Sequence, residues 1–153
     1  MNAVNKLTLT VTRDKCHYEV IGQFKKLIEN PELKLCVITS DIDNLGIHIS
    51  RFGRAFGQNL VDYWTNCLIQ FVYSEYHTEV KKGDLIIIPA GEEISIFSLN
   101  KSEFKINEFF KDLCNKVNKE LLLFEPDKVK CQVTFGMQII NDIKIHNKIK
   151  LFN

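Results

Sequence analysis

Hydrophobic positions recur along the chain with two different periods, and these periods predict its helices and strands. Leu35–Gly46 begins as an unbroken run of apolar and β-branched residues, which is typical of a strand buried on both faces. Before it, Leu7–Thr12 alternates apolar and polar residues and predicts a half-buried strand at a sheet edge. Between these segments, apolar residues from Tyr18 onward share one helical face, and Asn30-Pro31 ends that helix.

The middle of the chain predicts a long helix followed by a hairpin. From Phe56 onward, apolar side chains recur at every third or fourth position, which indicates an amphipathic helix packed on a sheet. Gly57 lies within this pattern, where glycine is unfavourable by up to about 1 kcal/mol relative to Ala. We therefore expect another backbone or a ligand to approach it closely. Residues 85–88 and 94–99 predict antiparallel strands joined by a turn over residues 89–93.

The last part of the chain predicts a second helix and a final strand. Ser102 is a candidate N-cap, the helix after it ends near residues 125–127, and residues 131–140 predict a strand. The order strand, helix, strand, helix, hairpin, helix, strand contains the split β-α-β, ferredoxin-like plan, with an additional N-terminal strand and helix. We therefore predict an α+β fold with a central, mainly antiparallel sheet and helices packed on it. Right-handed crossovers bring four acidic residues together: Asp41, Asp43, Glu92 and Glu93.

Composition restricts the class of protein. The chain has 153 residues, of which 45% are hydrophobic, so we expect one domain over residues 1–153 with a sizeable core. A formal net charge of +1 provides no field that attracts a polyanion, so direct DNA binding is not expected. No apolar run approaches the roughly 20 residues of a membrane span, and the N-terminus lacks a secretory signal, which predicts a cytoplasmic protein. The five cysteines form no C-x-x-C pair and are predicted to be reduced core residues.

The four acidic residues are the candidate chemistry. Asp41 and Asp43 follow a buried strand, and ligands of open α/β sheets gather at the carboxyl ends of strands. Clustered carboxylates repel one another unless a divalent cation holds them together. Mg²⁺ prefers oxygen ligands, and neither acidic motif contains a histidine that would favour zinc. The sequence therefore predicts a one- or two-metal site for phosphoryl or nucleotidyl transfer.

Five short motifs carry a resemblance to a known family. Their order and nearly ungapped spacing resemble the GGDEF diguanylate cyclase domain and the related palm domain of CRISPR polymerases, over about residues 13–140. As a short palm domain, the chain is most like the stand-alone minimal CRISPR polymerases. The motifs are Asp41-Ile42-Asp43, Gly53-x-x-x-Gly57, Lys81-x-x-Asp84, Ala90-Gly91-Glu92-Glu93-Ile94 and Val133-Thr134-Phe135-Gly136.

The resemblance implies a metal site at the acidic motifs. Asp41, the carbonyl of Ile42 and Glu92 would bind Mg²⁺ or Mn²⁺, and Glu93 matches a second metal-site carboxylate. Asp41, Glu92 and Glu93 would then be the catalytic acids. Two other interpretations stay open, because Asp43 could cap the next helix and Glu93 could be a solvated turn residue.

The resemblance also implies positions that contact the nucleotide. The backbone N–H groups of Asn44, Leu45 and Gly46 would face the phosphates, as the N-terminus of a helix does. Ala90 and Gly91 would pass close to the nucleotide, because both side chains are small.

Several positions depart from the family pattern. Ile49 and Gln58 stand where the family has its guanine-reading Asn and Asp. An apolar Ile cannot hydrogen-bond a guanine edge, whereas a Gln amide can serve adenine, so ATP is the expected substrate. Arg54 and Arg51, or the C-terminal lysines, would replace the family's phosphate-binding basic residues, although the arginines could equally form a solvated helix face. His48 is interpreted as a solvated loop residue rather than as a base.

The resemblance implies a metal-dependent nucleotidyltransferase that makes a cyclic di- or oligonucleotide messenger from an NTP in prokaryotic antiviral defence. A homodimer would bring two nucleotide-loaded half-sites face to face, and a separate effector would sense the product. The alternative is a degenerate GGDEF-like domain that binds a nucleotide or a partner without catalysis. An RNA-binding ferredoxin-like module would need aromatic strand motifs and a basic sheet face, which the sequence lacks.

Overall fold

The computed structural model of the protein describes residues 13–90 and 92–140. The predicted N-terminal strand Leu7–Thr12 lies outside the described residues. The elements are α1 (Arg13–Glu29), β1 (Lys34–Ile42), α2 (Leu45–Phe52), α3 (Arg54–Glu75), α4 (His77–Lys81), β2 (Leu85–Ala90), β3 (Glu93–Asn100), α5 (Glu103–Leu121) and β4 (Val133–Ile140).

The four strands form one antiparallel sheet in the order β2-β3-β1-β4. Strand β1 is central and pairs with β3 on one side and β4 on the other. Helices α2 to α4 connect β1 to β2, and α5 connects β3 to β4, which is the ferredoxin-like arrangement. The predicted α+β fold and the helix before the central strand are therefore confirmed.

One face of the sheet is covered by α3 and α5. On this face β1 contributes Cys36, Ile38 and Ile42 to the main hydrophobic cluster. Trp64 of α3 and Leu113 of α5 pack into the same cluster and are fully buried. Burial of such side chains is the dominant favourable term in folding, so this layer is the core of the protein.

The opposite face of the sheet is covered over only part of its length. There, Leu27 of α1 packs against Leu35 of β1 and Leu99 of β3. Thr39 and Asp41 follow Leu35 on the same side of β1, because alternate residues of a strand share a face, but both are exposed. Helix α1 thus leaves the carboxyl end of β1 open to solvent on this face.

The segment between the central strand and the long helix differs from the prediction. Two helices, α2 and α3, meet at Gly53, whose φ of 95° favours glycine. His48 belongs to α2 and is only 8% exposed, with its ring 6.5 Å from that of Phe56. The interpretation of His48 as a solvated loop residue is therefore wrong.

The predicted turn of the hairpin is too long. Ala90 pairs with Glu93, so the strands extend closer to the turn than the sequence pattern indicates. Pro89 lies inside β2, where it is tolerated because β2 is an edge strand. Helix α5 ends at Leu121, before the predicted end at residues 125–127, and β4 begins at Val133, two residues after the predicted start at residue 131.

Ser102 caps α5 as predicted, since its hydroxyl oxygen accepts the N–H of Lys105 at 3.2 Å. We expect Ser102→Ala to lower the free energy of unfolding by about 1 kcal/mol, because one N–H group of the first turn loses its partner. Ser102→Asp should keep most of the stability. Urea denaturation of both variants measures this, and equal stability of Ser102→Ala and the wild type would contradict it.

The cysteines with described side chains are free thiols. Cys36 and Cys131 are buried, whereas Cys67 and Cys114 are half-buried. Burial raises the pKa of Cys36 and of Cys67 to about 11, so both thiols stay protonated at neutral pH. All four are free, and the predicted place in the core is confirmed for Cys36 and Cys131, whereas Cys67 and Cys114 are not part of the hydrophobic core. The side chain of Cys16 lies outside the described part. Over residues 13–90 and 92–140, no helix is long and apolar enough to cross a membrane.

Candidate active site

A row of polar residues crosses the sheet at the carboxyl end of β1. Asp41 of β1 lies directly opposite Glu93 of β3 on one side and opposite Thr134 of β4 on the other. All three are exposed. Residues directly opposite in antiparallel strands have Cβ atoms about 4.5–5.5 Å apart and point to the same face. The two carboxylates are therefore neighbours, and we call Glu93, Asp41 and Thr134 the acid row.

A second row lies one pleat further down the same face. Thr39 of β1 is opposite Ser95 of β3 and Gly136 of β4. A Cβ atom on Gly136 would lie 3.3 Å from the hydroxyl oxygen of Thr39, so the glycine keeps this part of the face open. We call Ser95, Thr39 and Gly136 the hydroxyl row.

The two rows form the floor of an open cleft of about 610 Å³. This volume is in the range of about 300–1,000 Å³ that is typical of small-molecule sites. None of the described residues that line the cleft is Lys or Arg, so its charge comes from carboxylates alone. The lining residues are Thr39, Ser40, Asp41, Asp43, Glu93, Ile94, Ser95, Thr134, Phe135 and Gly136.

Asp43 is held on β4 rather than at the start of the next helix. The Thr134 hydroxyl donates to the Asp43 carboxylate at 2.6 Å, and the Asp43 N–H donates to the Gln132 carbonyl at 2.9 Å. The N-cap of α2 is Asn44, and no side chain caps it. The alternative that Asp43 caps the helix is therefore wrong.

The start of α2 adjoins the cleft through Asp43. Asn44 adopts the left-handed conformation with a φ of 59°, and the helix has no acidic residue in its first turn. The first N–H groups of a helix lack intrahelical partners and carry a partial positive charge. The predicted phosphate-binding segment, residues 44–46, thus combines free backbone donors with proximity to the acid row.

The predicted base-reading residues lie on the helices and do not line the cleft. Ile49 packs against Gly57, so that a Cβ atom on Gly57 would come within 2.4 Å of Ile49 Cγ1. Gln58 is exposed and donates its amide to the Asp62 carboxylate at 3.0 Å. Arg54 is exposed at the start of α3. Of the predicted site, the cleft therefore contains Asp41, Asp43 and Glu93 but not these three residues.

The remaining predicted residues lie around the hairpin. Glu92 is exposed between the paired residues Ala90 and Glu93 and is not among the residues that line the cleft. Gly91 lies outside the described residues. Ile42 is buried at the end of β1, directly after Asp41. Glu93 is the first residue of β3, so the alternative that places it in the turn is wrong, whereas its exposure to solvent agrees with that alternative.

The acid row fits a magnesium ion that arrives with a nucleotide. Within residues 13–90 and 92–140, no group of three or more His, Cys, Asp or Glu side chains could hold a metal ion. Mg²⁺ in nucleotide sites is bound through one or two carboxylates, with phosphate oxygens and water completing its shell. The pair Asp41 and Glu93 supplies such carboxylates on one exposed face.

Sequence reasoning missed the hydroxyl row and the role of Thr134. Thr39 precedes Asp41 by two positions, so the same alternation that exposes Asp41 could have indicated Thr39. Gly136 belongs to the last of the five motifs, but its place beside Thr39, like that of Ser95, could be found only through the strand register, which depends on the turn and on β4.

Comparison with solved structures shows which known fold this arrangement belongs to. The GGDEF domain of DgcB from Caulobacter crescentus, in complex with c-di-GMP, has a TM-score of 0.65 at 14% identity, covering 90% of this chain and 78% of that one. The active GGEEF domain of a diguanylate cyclase from Vibrio cholerae has a TM-score of 0.58 at 16% identity, covering 79% and 70%. The GGDEF domain of PA1120 (YfiN or TpbB) from Pseudomonas aeruginosa has a TM-score of 0.57 at 13% identity, covering 82% and 74%.

The chain therefore has the α+β fold of GGDEF domains. No protein-family model matches the sequence, and no curated protein is significantly similar to it. Fold alone does not determine function, so the activity has to be argued from the cleft.

Proposed function

We propose that the protein is a metal-dependent nucleotidyltransferase that makes a cyclic di- or oligonucleotide messenger from an NTP. The observation that carries this proposal is the pair Asp41 and Glu93, which are cross-strand neighbours in an open cleft. A helix N-terminus follows directly after this strand end. Two uncompensated carboxylates beside free N–H donors suit a triphosphate with its cation. The GGDEF fold supports the same reaction class.

In this proposal Asp41 and Glu93 are the paired carboxylate ligands of the metal, the Ile42 carbonyl is a further ligand, and Glu92 is the alternative to Glu93. All are hard oxygen ligands, which suit Mg²⁺ or Mn²⁺. A bound divalent ion neutralises phosphate charge and lowers the pKa of an attacking hydroxyl. Glu93 is the stronger candidate of the two glutamates, because it faces the same side of the sheet as Asp41.

The nucleotide contacts follow from the residues around the acid row. The N–H groups of residues 44–46 receive the phosphates, Ala90 and Gly91 lie beside the nucleotide, and Arg54 adds positive charge. The base is assigned to Ile49 and Gln58, which lie on the helices outside the cleft lining, and ATP is the preferred nucleotide. The Gln58 amide N–H is directed at Asp62, which leaves its carbonyl oxygen to accept the exocyclic amine of adenine.

The reaction joins two nucleotides. A ribose hydroxyl oxygen of one nucleotide bonds to the α-phosphorus of the other, the bond between the α- and β-phosphates breaks, and pyrophosphate leaves. The hydroxyl proton passes to water in the open cleft. A homodimer brings two half-sites together so that the step occurs twice and closes a ring. The chain acts as one cytoplasmic domain, and a separate effector of prokaryotic antiviral defence reads the product.

The test is product analysis. Purified protein is incubated with ATP, GTP, CTP and UTP, singly and mixed, with Mg²⁺ or Mn²⁺, and the products are analysed by mass spectrometry. We expect a cyclic adenine dinucleotide and pyrophosphate from ATP, and no product with EDTA, because phosphate charge is then unscreened. If no mixture gives a product while calorimetry detects nucleotide binding, the degenerate binding domain replaces this proposal.

A further inference from the structure

We propose that the hydroxyl row, Ser95, Thr39 and Gly136, binds the ribose of the attacking nucleotide. This inference rests on the proposed nucleotidyl transfer and adds the place where the ribose of the second nucleotide is bound, while its phosphates lie in the half-site of the other protomer. The acid row holds the metal and the phosphates of one nucleotide. The hydroxyl row, further down the same open face, then remains for the sugar of the other.

The spacing of the two rows suits this division. Equivalent residues of the two rows are two positions apart on each strand, which corresponds to about 7 Å along the strand. A ribose that rests on the hydroxyl row can therefore direct one of its own hydroxyls at the acid row. Transfer requires the attacking oxygen to lie about 3–3.5 Å from the phosphorus, so the sugar has to be bound beside the metal ligands.

The chemistry of the hydroxyl row matches a sugar. Thr39 is exposed and Ser95 is half-buried. Among the described residues, neither hydroxyl has a hydrogen-bond partner, whereas the hydroxyl of Thr134 is engaged by Asp43. A hydroxyl donates one hydrogen bond and accepts others, which suits the hydroxyls of ribose.

Gly136 supplies the space for the sugar. A side chain at this position would start 3.3 Å from the Thr39 hydroxyl oxygen and would extend over the row. On the side away from the acids, the next residues of β1 and β3 are Val37 and Phe97, which pack against the hydrophobic cluster beneath α1. The sugar is therefore bounded by apolar packing on one side and by the acid row on the other.

The experiment compares Thr39→Val and Ser95→Ala, singly and combined, with Thr39→Ser and with Thr78→Val. Thr78 is an exposed residue of α4 away from the cleft, so Thr78→Val is the matched control for the loss of a hydroxyl. We expect each single loss to lower kcat about tenfold and the combination about 100-fold, because each removes one hydrogen bond from the attacking sugar. Thr39→Ser keeps the hydroxyl and should lose much less activity than Thr39→Val, whereas Thr78→Val should retain the wild-type rate.

A second measurement separates sugar positioning from a general structural effect. A non-hydrolysable ATP analogue with Mg²⁺ should bind the double variant within about twofold of the wild-type affinity, because the phosphate and metal contacts remain. Gly136→Ala should lower kcat in the same way without removing a hydroxyl. A Tm of thermal unfolding equal to that of the wild type verifies that each variant is folded.

The outcomes distinguish the two proposals. An active wild type together with a double variant of wild-type kcat would overturn the hydroxyl row as the sugar site and leave nucleotidyl transfer intact. If kcat and the affinity for the analogue fell by the same factor, the hydroxyl row would have a structural role, and the proposal that it binds the sugar would also be overturned. A wild type that forms no product from any NTP would overturn both proposals.

Discussion

Asp41→Asn and Glu93→Gln are each expected to lower the rate of nucleotidyl transfer by about a thousandfold or more. Each substitution keeps the shape of the side chain and removes the negative charge that would hold the divalent cation. The two residues lie directly opposite each other on β1 and β3, so each loss leaves one carboxylate at the proposed metal site. Pyrophosphate release at saturating ATP and Mg²⁺ measures the effect.

The same experiment ranks the two glutamates. Glu92 is exposed and does not line the cleft, whereas Glu93 lines it. We therefore expect Glu92→Gln to lower the rate of nucleotidyl transfer less than Glu93→Gln does. Glu108→Gln and Asp112→Asn are matched controls, because both acids are exposed on α5. Full activity of Asp41→Asn would contradict the metal site. A greater loss for Glu92→Gln than for Glu93→Gln would contradict the ranking.

The acid row should also lower the free energy of unfolding when no cation is bound. Like charges directly opposite each other on neighbouring strands destabilise the pair. Asp41 and Glu93 are such a pair, and Asp43 lines the same cleft. A protein retains such an arrangement where function requires it, because most sites that violate folding rules are functional or strained. The unfavourable charge pattern itself therefore argues for a cation-binding role.

The sequence pattern predicted the fold because each element carries its own period. The apolar run of β1 and the helical stripe that contains Trp64 are local signals, and each segment buries its apolar residues where the pattern indicated. The order of elements then left the ferredoxin-like plan as the simplest arrangement. The separate helix α2 escaped prediction because the helical pattern was followed only from Phe56 onward, whereas α2 ends at Phe52 and Gly53, with its positive φ, separates it from α3.

The site was less predictable because it depends on register. The acidic motifs indicated which segments meet, yet they did not distinguish Glu92 from Glu93 as the neighbour of Asp41. A shift of one residue in the pairing moves every side chain to the other face, and the register is set by turn geometry that the residues near Gly91 do not specify. His48 was misjudged for a related reason, since its burial arises from the fold of α2 against Phe56.

The glycine at position 57 shows how close packing fixes the segment beside the cleft. We expect Gly57→Ala to destabilise the protein by about 1 kcal/mol, although alanine is the better helix former by a similar amount. The reason is that the added Cβ would lie 2.4 Å from Ile49 Cγ1 and 2.9 Å from Ile49 Cδ1. The sequence predicted a backbone or a ligand at this glycine, and the neighbour is instead a side chain of α2.

A matched control isolates the steric effect. Gly22 lies within α1 and has nothing within 4 Å of an added Cβ, so Gly22→Ala should stabilise by about 1 kcal/mol through helix propensity alone. The two alanine variants should therefore differ by about 2 kcal/mol in urea denaturation. In an Ile49→Ala background, Gly57→Ala should become stabilising, because both clashing atoms are removed. If Gly57→Ala and Gly22→Ala had the same effect in the wild-type background, the position of α2 would not be fixed by this contact.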